Sequence, residues 1–96
     1  MVAHFGMLTI HFELGAVQSL KDKRSQLRHM ENRLSRQFNI SIAETGFQDS
    51  HTNALITLGI VNNNPAFIQA KFSRIISWIE THYADLVMID EKLEII

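Results

Sequence analysis

The sequence predicts an α+β domain in the order β-α-β-β-α-β, and three observations carry that prediction. Side chains alternate two by two over residues 5–14; apolar residues recur at helical spacing over 20–38; and strand, strand, helix and strand patterns follow in turn. Ninety-six residues with 46% hydrophobic content support a single domain, residues 1–96, since a second would have too little chain to bury its own core.

In the first strand, FGMLTIHFEL, Leu8, Ile10, Phe12 and Leu14 share one side of the pleat, while Phe5, Met7, Thr9, His11 and Glu13 share the other. After GAVQ, Ser19 is placed to cap a helix, with Asp22 three residues on as a short form of the capping-box acid. Leu20, Leu27, Met30, Leu34 and Phe38 then draw one stripe along a helix running to about Gln37. NISIAET and TNALITLGIV read as two strands forming an antiparallel hairpin across the turn-rich segment GFQDSH, with Asp49 closing an Asx turn and His51 entering the second strand. Asn64 followed by Pro65 is an N-cap and first-position pair, and Ile68, Phe72, Ile75, Ile76, Ile79 and Tyr83 line the buried side of the second helix. DLVMIDEKLEI supplies the last strand. Two right-handed crossovers then put both helices on one face of a four-stranded antiparallel sheet, the ferredoxin-like arrangement.

The opposite sheet face is left uncovered. Leu55, Gly59 and Val61 would lie on it, interrupted by Thr57, and the first strand adds Phe5 and Met7. An exposed apolar patch of this kind marks a contact surface, so Phe5, Met7, Leu55, Thr57 and Val61 are the expected homodimer interface unless edge side chains cover them.

Charge is segregated although the formal net charge is only −1. Residues 19–38 hold six basic side chains against two acidic ones, and residues 80–96 hold five acidic against one basic. Three of the cations, Lys21, Lys23 and Arg24, fall in the first helical turn, where backbone dipoles already make the helix end positive. Lys23 and Arg24 fall beside the buried stripe and would have to snorkel; Lys21, Arg28 and Arg36 form an outward row. With the cap at Ser19, this set of Ser19, Lys21, Lys23, Arg24, Arg28 and Arg36 is the expected anion-binding surface, with RNA phosphate as the expected ligand.

Residues 19–44, SLKDKRSQLRHMENRLSRQFNISIAE, closely resemble the opening of the YlxP-like bacterial family, catalogued as a domain of unknown function. Its S-L-K-x-K-R motif matches Ser19, Leu20, Lys21, Lys23 and Arg24; the similarity continues through Phe38-Asn39, Ala43-Glu44 and Gln48; and the strand order agrees over essentially the whole chain. The resemblance implies a ferredoxin-like fold and, because such genes often lie among those of translation and ribosome maturation, an association with RNA or ribosomal particles. The sequence departs from the family after Gln48, with His51 and Asn53 standing where many relatives carry an aromatic followed by a basic residue. No stacking or phosphate role for those positions is therefore carried over.

Other chemistries find little support. An RNA-recognition motif stacks bases on aromatics of its first and third strands, but the third strand here has none and the K/R-G-F/Y-G/A-F-V-x-F/Y signature is missing. RNA contact is thus expected through phosphates, with weak sequence preference. The five histidines lack H-x-H or H-x-x-x-H spacing, so no metal site is expected. The glycines at 6, 15, 46 and 59 form neither a P-loop nor a dinucleotide fingerprint, and Asp49 with His51 lacks a nucleophile; the expectation is a non-catalytic module without small-molecule cofactor. Met7, Met30 and Trp78 read as core or interface residues. No cysteine, no basic leader and no apolar run of membrane-spanning length point to a cytoplasmic protein.

Overall fold

The computed structural model describes residues 2–15 and 17–96; Met1 and Ala16, within the N-terminal segment and the first strand-to-helix connection, lie outside the described residues. The elements are β1 (His4–Leu14), α1 (Leu20–Gln37), β2 (Ser41–Gly46), β3 (Asn53–Asn62), α2 (Pro65–His82) and β4 (Leu86–Ile95), the ferredoxin-like order. The sheet is antiparallel throughout, in the order β2-β3-β1-β4, so the long central strands β1 and β3 are flanked by a six-residue edge and a ten-residue edge.

Pleat alternation divides the central strands cleanly. Leu8, Ile10, Phe12 and Leu14 of β1 and Ala54, Ile56, Leu58 and Ile60 of β3 are buried beneath Leu27, Met30 and Leu34 of α1 and Ile68, Phe72, Ile75 and Ile79 of α2. The close approach of α2 depends on Gly6: a methyl group there would collide with Ile68 Cγ2 and lie 3.0 Å from Phe72 Cε2. Both helix starts are capped as their sequences predict, Ser19 Oγ accepting from Asp22 N–H at 3.1 Å and Asn64 Oδ1 from Ala66 N–H at 3.0 Å.

Two local features differ from the sequence expectation. The turn before β3 is closed by Ser50, not by Asp49: Ser50 N–H donates to Phe47 O at 3.0 Å, while Ser50 Oγ accepts from Asn53 N–H at 3.1 Å. β3 therefore starts at Asn53 and His51 stays outside the strand. In β4, the pairing with β1 slips between His11 and Phe12, leaving Ile89 as the extra residue of a bulge.

Candidate functional site

The first turn of α1 sorts its cations into two groups. The buried stripe of α1 is Lys23, Leu27, Met30 and Leu34, so a lysine fills the position where the pattern asks for an apolar residue. Lys23 does not snorkel; it is 1% exposed, and its Nζ lies 2.9 Å from Glu44 Oε2, 2.6 Å from Phe47 O and 2.5 Å from Ser50 O. Two carbonyls accept hydrogen bonds from the ammonium, and the Glu44 carboxylate pairs with its charge. Glu44 Oε2 is itself buried, and Lys23 is the group that answers its charge. Lys23 thus leaves the expected anion-binding set, because an ammonium enclosed by the protein's own carboxylate and carbonyls has nothing to offer a visitor. Ser19 likewise spends its hydroxyl on the helix cap.

Lys21, Arg24, Arg28 and Arg36 are exposed. They occupy an arc of roughly 120° on the side of α1 away from the stripe and extend over roughly 22 Å of its axis, at 100° and 1.5 Å per residue. Among the described residues no carboxylate makes an ion pair with Lys21, Arg24 or Arg36. Arg28 attracts Glu31, and with Arg24, Leu27, Ile42 and Glu44 these two line a shallow cleft of about 240 Å³ between α1 and β2. Burial, and then the charge of Glu44, raise the Glu31 carboxyl above the usual range, with Arg28 pulling the other way. The remaining arginine of α1, Arg33, belongs to a structural cluster: its guanidinium lies 5.0 Å from the Trp78 ring centre and 5.5 Å from that of Tyr83, whose hydroxyl shares a 2.8 Å hydrogen bond with His29 Nδ1.

The uncovered sheet face is less uniform than its sequence suggests. At one end Val61, Phe5 and Ile96 are cross-strand neighbours, 68%, 41% and 75% exposed. Phe5 lies over Gly59, where a β-carbon would approach its ring to 3.1 Å. Met7, Leu55 and Thr57 occupy the same face but are half-buried. Across the middle runs a hydroxyl row, Thr45 to Thr57 at 2.7 Å and Thr57 to Thr9 at 3.2 Å, directed toward Lys92 on β4. The expected continuous apolar patch is therefore split, with its strongest exposure at the Phe5 end.

At the other end stands a feature the sequence reading missed. Phe47, in the turn after β2, stacks on His11 of β1 with ring centres 4.8 Å apart and planes inclined by 22°. His11 Nε2 donates to Asn53 Oδ1 at 3.0 Å, which fixes the imidazole plane. Searching only strands one and three for aromatics overlooks this pair, because one ring comes from a loop. Among the described residues no three histidine, aspartate or glutamate side chains gather as a metal site, and no helix is long and apolar enough to cross a membrane.

Comparison with known proteins places this arrangement in a family. The family described as "Protein of unknown function (DUF503)" matches residues 5–92, from β1 into β4 and across all six elements. The chain belongs to the DUF503 family. A related sequence is the uncharacterized protein YlxP of Bacillus subtilis, 29% identical over 63 residues, a match covering 66% of this chain and 68% of YlxP. Two solved structures share the fold at low identity. The de novo designed protein Foldit4 matches with a TM-score of 0.58 at 9% identity, covering 99% of this chain and 97% of its own. The crystal structure of NE2512, a protein of unknown function from Nitrosomonas europaea, also gives a TM-score of 0.58, at 12% identity, covering 97% of this chain and 87% of its own. At these identities both likenesses show the fold alone, and function must be sought in the side chains placed on it.

Proposed function

We propose that this DUF503 protein is a non-catalytic binding module that meets RNA, or a ribonucleoprotein such as a ribosomal particle, through the basic surface of α1. One observation carries the reading: Lys21, Arg24, Arg28 and Arg36 remain exposed on one side of the helix, while of the other two cations of the segment Lys23 is consumed internally and Arg33 packs on Trp78 and Tyr83. Lys21 and Arg24, kept at the start of α1 without carboxylate partners among the described residues, are electrostatically unfavourable in isolation and favourable once an anion docks, and Arg28 and Arg36 continue the positive surface along the helix. Phosphate contacts of this kind position a nucleic acid without reading its sequence. Engagement of about four phosphates on a single strand gives a log–log dependence of affinity on salt with a slope near −3. The test is titration of a fluorescent single-stranded RNA at several salt concentrations with the wild-type protein and with the Lys21→Ala, Arg24→Ala, Arg28→Ala triple variant. The variant is expected to lose most of the affinity and most of the slope; equal affinities, or a flat salt response of the wild type, would remove the reading.

A second reading, self-association as a homodimer, rests on the exposed row of Val61, Phe5 and Ile96, with Met7, Leu55 and Thr57 beside it. The two are compatible, since α1 and the uncovered sheet face lie on opposite sides of the domain.

A further inference from the structure

Phe47 has a backbone φ of 58°, the only non-glycine residue with positive φ among those described. A bulky side chain in the left-handed region is strained, and such a conformation persists only where its surroundings enforce it. Here they do. The Lys23 ammonium binds the carbonyls of both Phe47 and Ser50, the Ser50 amide closes the turn back onto Phe47, and Ser50 Oγ ties the turn to β3. Burying the ring does not explain the strain, because Phe47 is still 47% exposed. What the conformation achieves is orientation: the ring lies nearly parallel to His11, with one face against the imidazole and its outer side toward solvent.

We infer that the Phe47–His11 stack is a platform for one base of a single-stranded RNA whose phosphates lie along α1. The inference rests on the phosphate reading above and deepens it, since it names the class of nucleic acid and a second contact. Three observations favour a nucleobase as the occupant. The strand would pass around the end of the sheet: the stack lies on the uncovered face and the exposed Lys21 and Arg24 on the outer side of α1, and the Lys23 contacts hold the Phe47–Ser50 turn between them, against the first turn of the helix. The platform is flat and aromatic, which suits the π-face of any base and tolerates any sequence. Hydrogen-bonding groups flank it: Asn53 is bonded to His11, and the hydroxyl row of Thr9, Thr57 and Thr45 runs one side-chain row away on the same face, about 7 Å along the strand. An extended apolar partner would find Phe47 and Val87 exposed at this end but would have to desolvate Asp90, opposite His11, and the hydroxyls beside it.

The experiment compares two probes, a fluorescent single-stranded oligonucleotide of uridines and inorganic polyphosphate, which has the charges without the bases. The proteins are wild type, Phe47→Gly, which accepts the backbone conformation, and Phe47→Trp, which restores a stacking surface. Phe47→Gly is expected to weaken oligonucleotide binding roughly 5- to 100-fold, the effect of losing one stacked base. It should leave polyphosphate binding and the salt slope unchanged, and Phe47→Trp should bind the oligonucleotide like the wild type. Unchanged oligonucleotide affinity in Phe47→Gly, or equal losses for both probes, would overturn the platform while leaving the helix reading intact. Absence of salt-dependent binding of both probes by the wild type would overturn the helix reading and the platform with it. A wild-type dimer that Phe47→Gly converts to a monomer, with no change in oligonucleotide affinity, would assign the stack to self-association and also overturn the proposal.

Discussion

Two partly or wholly buried charges, Lys23 and Glu31, sit about two helical turns apart on α1 and have opposite fates. Lys23 has a full set of oxygen partners, so its desolvation is offset by an ion pair and two charge-assisted hydrogen bonds. Glu31 is half-buried with Glu44, another carboxylate, as its main neighbour, and only Arg28 favours its ionisation. Its pKa in the folded chain is therefore raised above its unfolded value. The sign of the linkage follows: the folded state binds the Glu31 proton more tightly than the unfolded state, so this contribution to stability is complete below the ordinary glutamate range. It is lost as pH rises through the raised value. Glu31→Gln removes the ionisation, so thermal melts should show the variant more stable than the wild type at neutral pH, with the gap closing as the pH falls below the glutamate range. A variant less stable at neutral pH would mean that attraction to Arg28 outweighs burial and Glu44 together.

At the level of elements, Lys23 links three pieces that are distant in sequence: the start of α1, the end of β2 and the turn that carries Phe47. Replacing it with methionine preserves the side-chain bulk but leaves the buried Glu44 Oε2 without its counter-charge and two carbonyls without a donor. Breaking a buried pair in this way costs about 3–5 kcal/mol. For a domain of this size each kcal/mol lowers Tm by about 4–8 °C, so Lys23→Met should melt more than 10 °C below the wild type, roughly, whereas the exposed Lys21→Ala changes stability by about 0.5 kcal/mol or less. Adding Glu44→Met to Lys23→Met should recover much of the loss in the same melts, since the uncompensated carboxylate is then gone. The same contacts explain what was legible in the sequence. The limits of α1 and α2 could be read because caps and periodicity are local, written in Ser19, Asn64, Pro65 and the apolar stripes. The inward and outward faces of β1 and β3 could be read because alternation has a fixed period of two. The role of Lys23 could not, because on a helical wheel it looks like any cation beside the stripe, and its partners lie 21 to 27 residues away. Missing that contact also hid the pinned turn, and with it the pairing of Phe47 with His11.

On the scale of the whole molecule, the features separate along its length. The chain folds into a body of 48 × 23 × 20 Å, and Phe5 and His11 stand six residues apart on β1, roughly 20 Å of extended strand. The exposed Val61, Phe5 and Ile96 row is thus well removed from the Phe47 stack, and a dimer built on it leaves both the stack and α1 open to RNA. Opposite charge on residues 19–38 and 80–96 offers another route to association, but attraction between exposed charges fades beyond a Debye length of about 8 Å at physiological salt. Salt therefore separates the two. If the apolar row drives self-association, light scattering at tens of micromolar, a range that detects micromolar dimers, should give twice the chain mass of 11.0 kDa at both low and high salt. Val61→Glu should return the protein to a monomer, because a carboxylate within an apolar contact must be desolvated without a partner. A dimer that dissociates as salt is raised would transfer the interface to the charged poles. A monomer under all of these conditions would remove self-association as a function of this face.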